Sequence, residues 1–418
     1  MASVKNILKL TLLAALMLIG TVCIRVHAED DVLQSGVVYD DKINYTLYND
    51  GTLIFEGGGE LEGFNQINEY FHSIWYNEYK DVIRNIVIGE GITRIGPREF
   101  YGLSSLESVT LPDSLYSIGF EAFSDCSSLK SISIPENAAD IGHNAFYRCS
   151  GLETVKLPSG LKKLENGVFA YCSSLESIEL PYGLESLDNT FHDCTALRSI
   201  EIPDSVTAIG SSAFDSCESL EYVKLPAGIE YLPRMCFSGC TRLAGIELPD
   251  GLEYIGSMAF YDCSSLDQIN VPESLVSIEE SAFYGTKLLL DHSIDGVLYM
   301  GKFLVDAQES LDGELTVRDG TEIICQGALA ETGVTYVKLP QSISSISSGA
   351  FRDCEKLESV EMPDEAASIG NYAFSGCISL KEITLPEGLS EIGRSLFENC
   401  SALENVQLPN GDVYKRQP

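Results

Sequence analysis

Cations are scarce in this sequence. Its 418 residues carry 27 Lys+Arg against 62 Asp+Glu, a formal net charge of −35. Affinity for phosphate backbones comes from Lys and Arg displacing counterions, so nucleic acid and anionic lipid surfaces are excluded as partners. Histidine is rarer still. The five, at His27, His72, His143, His192 and His292, are widely separated. His143 and His192 fall at different offsets of different repeats and read as solvated loop residues. No phosphate loop of the GxxxxGKS or GxxxxGKT type occurs, and no GxGxxG follows a strand. HExxH and GxSxG are missing, and so is the spaced DxDxDG pattern of calcium loops. No catalytic, cofactor-binding or metal-ligating residue is therefore assigned, and no enzyme activity or cofactor is expected. Beyond Ile24 no apolar run approaches the ~20 residues needed to span a bilayer.

Disorder is excluded from the other side, because 44% hydrophobic and 21% charged residues suffice to bury a core. Lys5 and Lys9 precede an apolar run from Ile7 to Ile24, and Val26-His27-Ala28 offers small residues at a cleavage site. Residues 1–28 thus read as a secretory signal peptide. No membrane insertion is expected after its removal. At the other end, Asp412 to Gln417 looks like the translation of a common sequencing adapter. Residues 412–418 are read as a scar, with the gene truncated near Gly411.

A length of 418 residues would ordinarily suggest two or three globular domains. A 23-residue ruler replaces that expectation. Apolar-Pro pairs put prolines at Pro112, Pro135, Pro158, Pro181, Pro203, Pro226, Pro249 and Pro272, then at Pro340, Pro363, Pro386 and Pro409. Arg318 takes the proline slot inside the one long interval, and Gly89 extends the ruler backwards. A period of this length with Leu and Ile at set offsets signifies leucine-rich repeats. In the unit from Pro112 to Ile134, the apolar positions are Leu115, Ile118, Ala122, Phe123, Leu129, Ile132 and Ile134. The end of the unit alternates with period two and predicts a short strand, which the next proline terminates. Gly119 is expected in a positive-φ turn. Ala122 to Leu129 has helical spacing but little room, and predicts one turn of 3₁₀ or α helix. One unit cannot bury enough surface to offset the ordering of its backbone, so neighbours must stack. About a dozen rungs at ~4.8 Å make a rod roughly 60 Å long. The predicted fold class is mainly β, a right-handed solenoid with short 3₁₀ or helical turns.

Ten of the 13 cysteines share one offset: Cys126, Cys149, Cys172, Cys194, Cys217, Cys240, Cys263, Cys354, Cys377 and Cys400. One offset repeated in stacked rungs is a buried column, where a thiol acts as a small hydrophobe with a weak donor. Column members ~4.8 Å apart with parallel Cβ vectors suit a disulfide poorly. Free thiols are expected. Cys236 and Cys325 fall on the alanine and glycine offsets and fill small-residue slots.

The ruler breaks twice. Residues 29–85 carry a hairpin signal, Tyr45 to Tyr48 and Thr52 to Phe55 around Asn49-Asp50-Gly51, followed by Gly57-Gly58-Gly59 and the lone Trp75. This segment is read as a β-rich cap over the first rung. Residues 291–317 hold a second hairpin turning at Gly301-Lys302. The organisation is therefore a cap (29–85), a first array (86–290), a hairpin insert (291–317) and a second array (318–411).

Residues two and four before each proline should point away from the core. The first column includes Lys156, Glu179, Glu201, Lys224, Glu247, Lys338 and Glu361, and the second includes Tyr222 and Tyr336. Taken singly they read as a solvated face with cross-strand pairs such as Lys156/Glu179 and Lys224/Glu247. Taken together they form a repeated polar surface suited to recognising a protein, with the two tyrosines as anchors.

The unit Pro-x-x-Leu-x-x-Ile-Gly-x-x-Ala-Phe-x-x-Cys-x-x-Leu-x-x-Ile-x-Ile resembles the BspA-type bacterial surface leucine-rich repeat over roughly 86–290 and 318–411. Departures are local. Leu103 replaces the first cysteine, Gly285 ends one array without it, and the 181–202 unit is one residue short. The cap is similar to the segment often preceding such repeats. The resemblance implies a secreted or cell-surface protein of bacteria or certain protozoa, and some members bind matrix proteins or other cells. The expected function is a non-catalytic adhesion module for an extracellular protein or glycan. The alternatives are an envelope spacer, or the targeting arm of an enzyme whose catalytic domain lies beyond the truncation. Fold alone does not choose among them.

Overall fold

The structure is a computed structural model and describes residues 31–39, 42–63, 74–389 and 391–408. The signal-peptide and adapter readings, and Pro409, lie outside them. The chain is a mainly β solenoid of about 14 turns with almost no helix.

It begins as an antiparallel meander of β1 (Val32–Val38), β2 (Ile43–Tyr48) and β3 (Thr52–Gly57). The turn at Asn49-Asp50-Gly51 has Gly51 at φ 83°, the left-handed region a tight hairpin requires. β3 then pairs in parallel with Asn85–Ile88 and opens a ladder that continues through Ser108–Thr110, Ser131–Ser133 and Thr154–Lys156. β4 (Gly59–Leu61) pairs with Ile92–Ile95 and opens a second ladder. The cap thus supplies the first strand of both. Trp75, on the short helix α1 (Ile74–Tyr79), is buried edge-on against Tyr45 and Phe55. Its Nε1 donates to Glu99 Oε1 at 2.8 Å, and Tyr39 Oη donates to the same atom at 2.6 Å. Burial raises the Glu99 carboxyl above its usual range.

Most rungs carry two strands. The predicted one lies before the proline. The other is a two-residue strand such as Ser117–Ile118 or Asp140–Ile141, too short to show periodicity. The stretch from Ala122 to Leu129 closes on i to i+3 hydrogen bonds, Cys126 N to Phe123 O and Leu129 N to Cys126 O. It does not become helix, because Glu121 and Asp125 adopt φ 51° and 61°. The same two offsets are left-handed in successive rungs, for example Asn144 with Arg148 and Ser212 with Ser216. They bend the chain into an arc whose alternate N–H groups bond the next rung: Glu121 N to His143 O, Phe123 N to Ala145 O and Asp125 N to Tyr147 O.

Gly119 is not in the positive-φ region, contrary to expectation. A Cβ there would lie 2.7 Å from the Gly96 carbonyl carbon and the Pro97 nitrogen. Glycine is required by close approach of rungs rather than by a turn.

The arcs carry the core. Phe100, Phe123, Phe146, Phe169, Phe191, Phe214, Phe237, Phe260 and Phe283 are fully buried and stack at 5.3 to 6.0 Å. Beside them runs the thiol column. Cys126 Sγ donates to Phe100 O at 3.2 Å, Cys149 to Phe123 O at 3.1 Å and Cys217 to Phe191 O at 3.2 Å. Cys400, at the far end, is half-buried, and all described cysteines are free thiols. Burial pushes the column thiols of the first array up, Cys263 to about 12, so thiolate is suppressed there.

After the first array come a five-residue helix α2 (Lys287–Asp291), a hairpin of Val297–Met300 and Phe303–Ala307 turning at Gly301 (φ 55°), and then the second array. Arg318, in the proline slot, lies over the Tyr299 ring and donates to Gly301 O at 2.7 Å, which ties the hairpin down.

Candidate interaction face

Parallel pairing sets the strand face in register. Ser199 faces Tyr222 and Glu201 faces Lys224, while Tyr336 faces Ser359 and Lys338 faces Glu361. Inward residues between them, such as Val223 and Val337, are buried. Alternation therefore turns Lys156, Glu179, Glu201, Tyr222, Lys224, Glu247, Lys338 and Glu361 to solvent, with Tyr336 partly covered.

The two halves of this face differ in how much their side chains bind one another. In the second array Glu361 accepts from Tyr336 Oη at 2.6 Å and pairs with Lys338 at 2.7 Å. Hydrogen bonding to that carboxylate raises the Tyr336 phenol, and the same donors hold the Glu361 carboxyl below its usual range. In the first array the expected pairs do not form. No ion pair joins Lys156 to Glu179 or Lys224 to Glu247 among the described residues. One cause is visible at Lys156. The strand Thr154–Lys156 pairs backwards with Ser131–Ser133 but not forwards, and the next unit contributes only an isolated bridge, Ser177 to Ser199. The cross-rung pairs fall at other offsets instead. Examples are Arg84–Glu107 at 2.8 Å, Lys130–Glu153 at 3.3 Å, Lys162–Glu185 at 3.2 Å and Lys381–Glu358 at 2.8 Å. Exposed pairs of this kind orient side chains more than they stabilise.

Tyr222 is the exception on the face. It is 52% exposed, and its forward neighbour is Gly245, which has no side chain to cover it.

On the arc side, sequence reasoning missed one cluster. His192 is only 22% exposed, packs edge-on against Tyr171 at 5.0 Å and contacts its hydroxyl through Nε2 at 3.1 Å. Asp215 lies 3.5 Å from Nδ1, and Arg148 covers the Tyr147 and Tyr171 rings. The cluster was illegible because its members come from successive rungs at neighbouring but unequal offsets. His143, by contrast, is exposed beside Glu165 at 3.6 Å. Among the described residues no group of three or more His, Cys, Asp or Glu converges as a metal site, and no helix is long and apolar enough to cross a membrane.

Solved structures of similar chains include several from bacteria. A leucine-rich repeat protein from Bacteroides ovatus is 25% identical, with 88% of each chain covered and a TM-score of 0.47. One from Eubacterium ventriosum is 20% identical, covering 88% of this chain and 89% of its own at 0.42. A leucine rich cell surface protein from Faecalibacterium prausnitzii is 23% identical, covering 92% and 96% at 0.34. No curated protein matches. The profile described as BspA type leucine rich repeat region matches residues 74–190, 185–296 and 314–415, in six copies. That is well over half the chain, with the rung geometry described above, and the chain belongs to the BspA-type leucine-rich repeat family.

Proposed function

We propose that this chain is a secreted or cell-surface, non-catalytic interaction module of a bacterium, which binds an extracellular protein or glycan through its strand face. The observation that carries this reading is the outward row in which Tyr222 stands half-exposed, with Gly245 at the same offset of the next rung and no ion pair between Lys224 and Glu247. An aromatic ring with an open flank and a charged surround is the composition of an interface anchor. Side chains already bound to one another, such as Tyr336 with Glu361, would give up those bonds on docking. The first array is therefore the recognition half. The acidic surface further favours partners with exposed cations.

The test is an array of matrix proteins, surface proteins and polysaccharides probed with the purified chain. A ligand should emerge whose affinity drops about 30-fold or more in Tyr222→Ala, the loss typical of an interface anchor. Tyr336→Ala should cost less. Binding to nothing on the array would sink the reading and favour the envelope spacer.

A further inference from the structure

The main-chain ladder of the arcs, which runs through both arrays, stops between them. In the arc of the last full rung of the first array, Ser281, Phe283 and Gly285 hold the offsets whose N–H groups elsewhere bond the following rung, as Met258, Phe260 and Asp262 do to Glu280, Ala282 and Tyr284. Their own N–H groups reach no carbonyl among the described residues. Across the break, the carbonyls of Gln326, Ala328 and Ala330 accept nothing from a preceding rung, whereas the N–H groups of Gly327, Leu329 and Glu331 resume bonding forwards to Ser348, Ala350 and Arg352. The strand rows, which also break at other rungs within the arrays, break here as well. Ser277–Ile278 and Gln268–Ile269 pair only backwards, while the hairpin of Val297–Met300 and Phe303–Ala307 opens one new sheet and Asp312–Thr316 another. The rung between the two arcs is a shortened one, built from Phe303–Ala307 and Asp312–Thr316 with no arc of its own.

Side chains make the connection instead. Arg352 reaches back to Glu280 at 2.9 Å over 72 residues of sequence. Tyr284 Oη donates to Glu309, and Gln308 Nε2 donates to the carbonyls of Leu289 and Leu290. Within this short rung lies Asp306, 9% exposed. One carboxyl oxygen accepts from Ala307 N at 2.8 Å, and the other is buried with no partner. Its surroundings offer no cation. Glu280 faces it from the first array, with its charge already turned to Arg352, and Cys325 faces it from the second. Glu331 and Asp353 crowd the same guanidinium.

We propose that the segment between Gly285 and Gly296 is a joint about which two separately hydrogen-bonded arrays open and close, and that the charge on Asp306 governs closure. An ionised Asp306 is buried without a donor for its second oxygen and beside a like charge, so it opposes the closed state. Burial and Glu280 accordingly push its carboxyl up to about 7. The sign follows. The closed joint binds the proton more tightly than the open one, so closure is strongest in acid. It weakens as pH rises from the ordinary carboxylate range towards 7, then levels off. Because the strand face spans the joint, its two halves would change alignment with pH.

Cys325 is a native reporter, since it is buried at the joint with its thiol against the Ile278 backbone of the first array. The full chain is pulsed with a pyridyl disulfide at about pH 5 and about pH 8. Labelling of each thiol is read by peptide mass spectrometry and divided by that of the denatured chain at the same pH. Between these values the protection of Cys325 should fall about a hundredfold, at up to tenfold per pH unit. Cys217, inside the first array, should stay protected throughout. Asp306→Asn should abolish the fall. Arg352→Ala should raise Cys325 labelling at both pH values and keep the slope. Protection of Cys325 equal to that of Cys217 at both pH values overturns the joint. An unchanged slope in Asp306→Asn, or loss of the slope in Arg352→Ala, overturns the role of Asp306.

Discussion

At the end of the first array, Phe260 and Phe283 meet ring to ring at 5.3 Å, and at the start of the second, Leu329 takes the phenyl slot. Phe283 and Leu329 are both fully buried, and one hydrophobic core runs from the first array through the hairpin into the second. The hydrogen-bond ladder does not cross it. Inside an array, burial and ladder coincide and cannot be told apart. The joint separates them, with a core that continues through the short helix and hairpin but no main-chain bonds from one array to the other. In a stacked-repeat protein stability is a sum of rung and neighbour terms. The joint is where the neighbour term loses its backbone share.

The strongest way to sharpen this contrast is to delete rings on either side of it. Phe214 stacks on Phe191 at 5.6 Å and on Phe237 at 5.4 Å, whereas Phe283 stacks only on Phe260. Phe214→Ala should cost about 3–5 kcal/mol in chemical denaturation. Phe283→Ala should cost less by about one aromatic pair, ~0.5–1.5 kcal/mol. Amide exchange adds a second readout. The Phe214 substitution should loosen amides along the first array and leave those of 349–376 unmoved. Equal loosening in both arrays would show that the joint transmits stability as well as any rung.

The periodic parts of this architecture are legible in the sequence, because a residue repeated at one offset has one environment. The phenyl and thiol columns and the strand before each proline are of this kind, while both hairpins are legible from their turn residues instead. The left-handed bends are not, since Glu121, Arg148, Tyr171 and Met235 share φ near 55° and no chemistry. Nor is the joint. Arg318 keeps the proline register across it, so the ruler continues while the backbone ladder stops. On the interaction face, outward direction follows from alternation. Pairing does not, because it depends on which strands extend forwards, and Lys156 stands where one does not.

Intermediate in size is the effect of filling a rung contact. Gly119 approaches the Gly96 and Pro97 backbone too closely for a Cβ, and neither neighbour is a flexible side-chain end. Gly119→Ala should destabilise by about 1–3 kcal/mol through overpacking. Its thermal midpoint should fall, and exchange should rise first at Ser117–Ile118 and its parallel neighbours. An unchanged midpoint would mean that rungs part more easily inside an array than the continuous ladder suggests.

The smallest expected effect has the opposite sign and isolates the ladder from packing. Gly228 is exposed and has no positive φ, and a Cβ added to it would meet nothing within 4 Å. Alanine there touches nothing and loses no bond, so it acts through the unfolded chain alone, which has fewer conformations to surrender. Gly228→Ala should stabilise by about 0.4–1 kcal/mol. That gain belongs to the array in which the residue folds. If the joint divides the solenoid, the denaturation midpoint of the first array rises and that of the second stays put. If both midpoints rise together, folding is cooperative across the break, and the core rather than the ladder carries cooperativity in this chain.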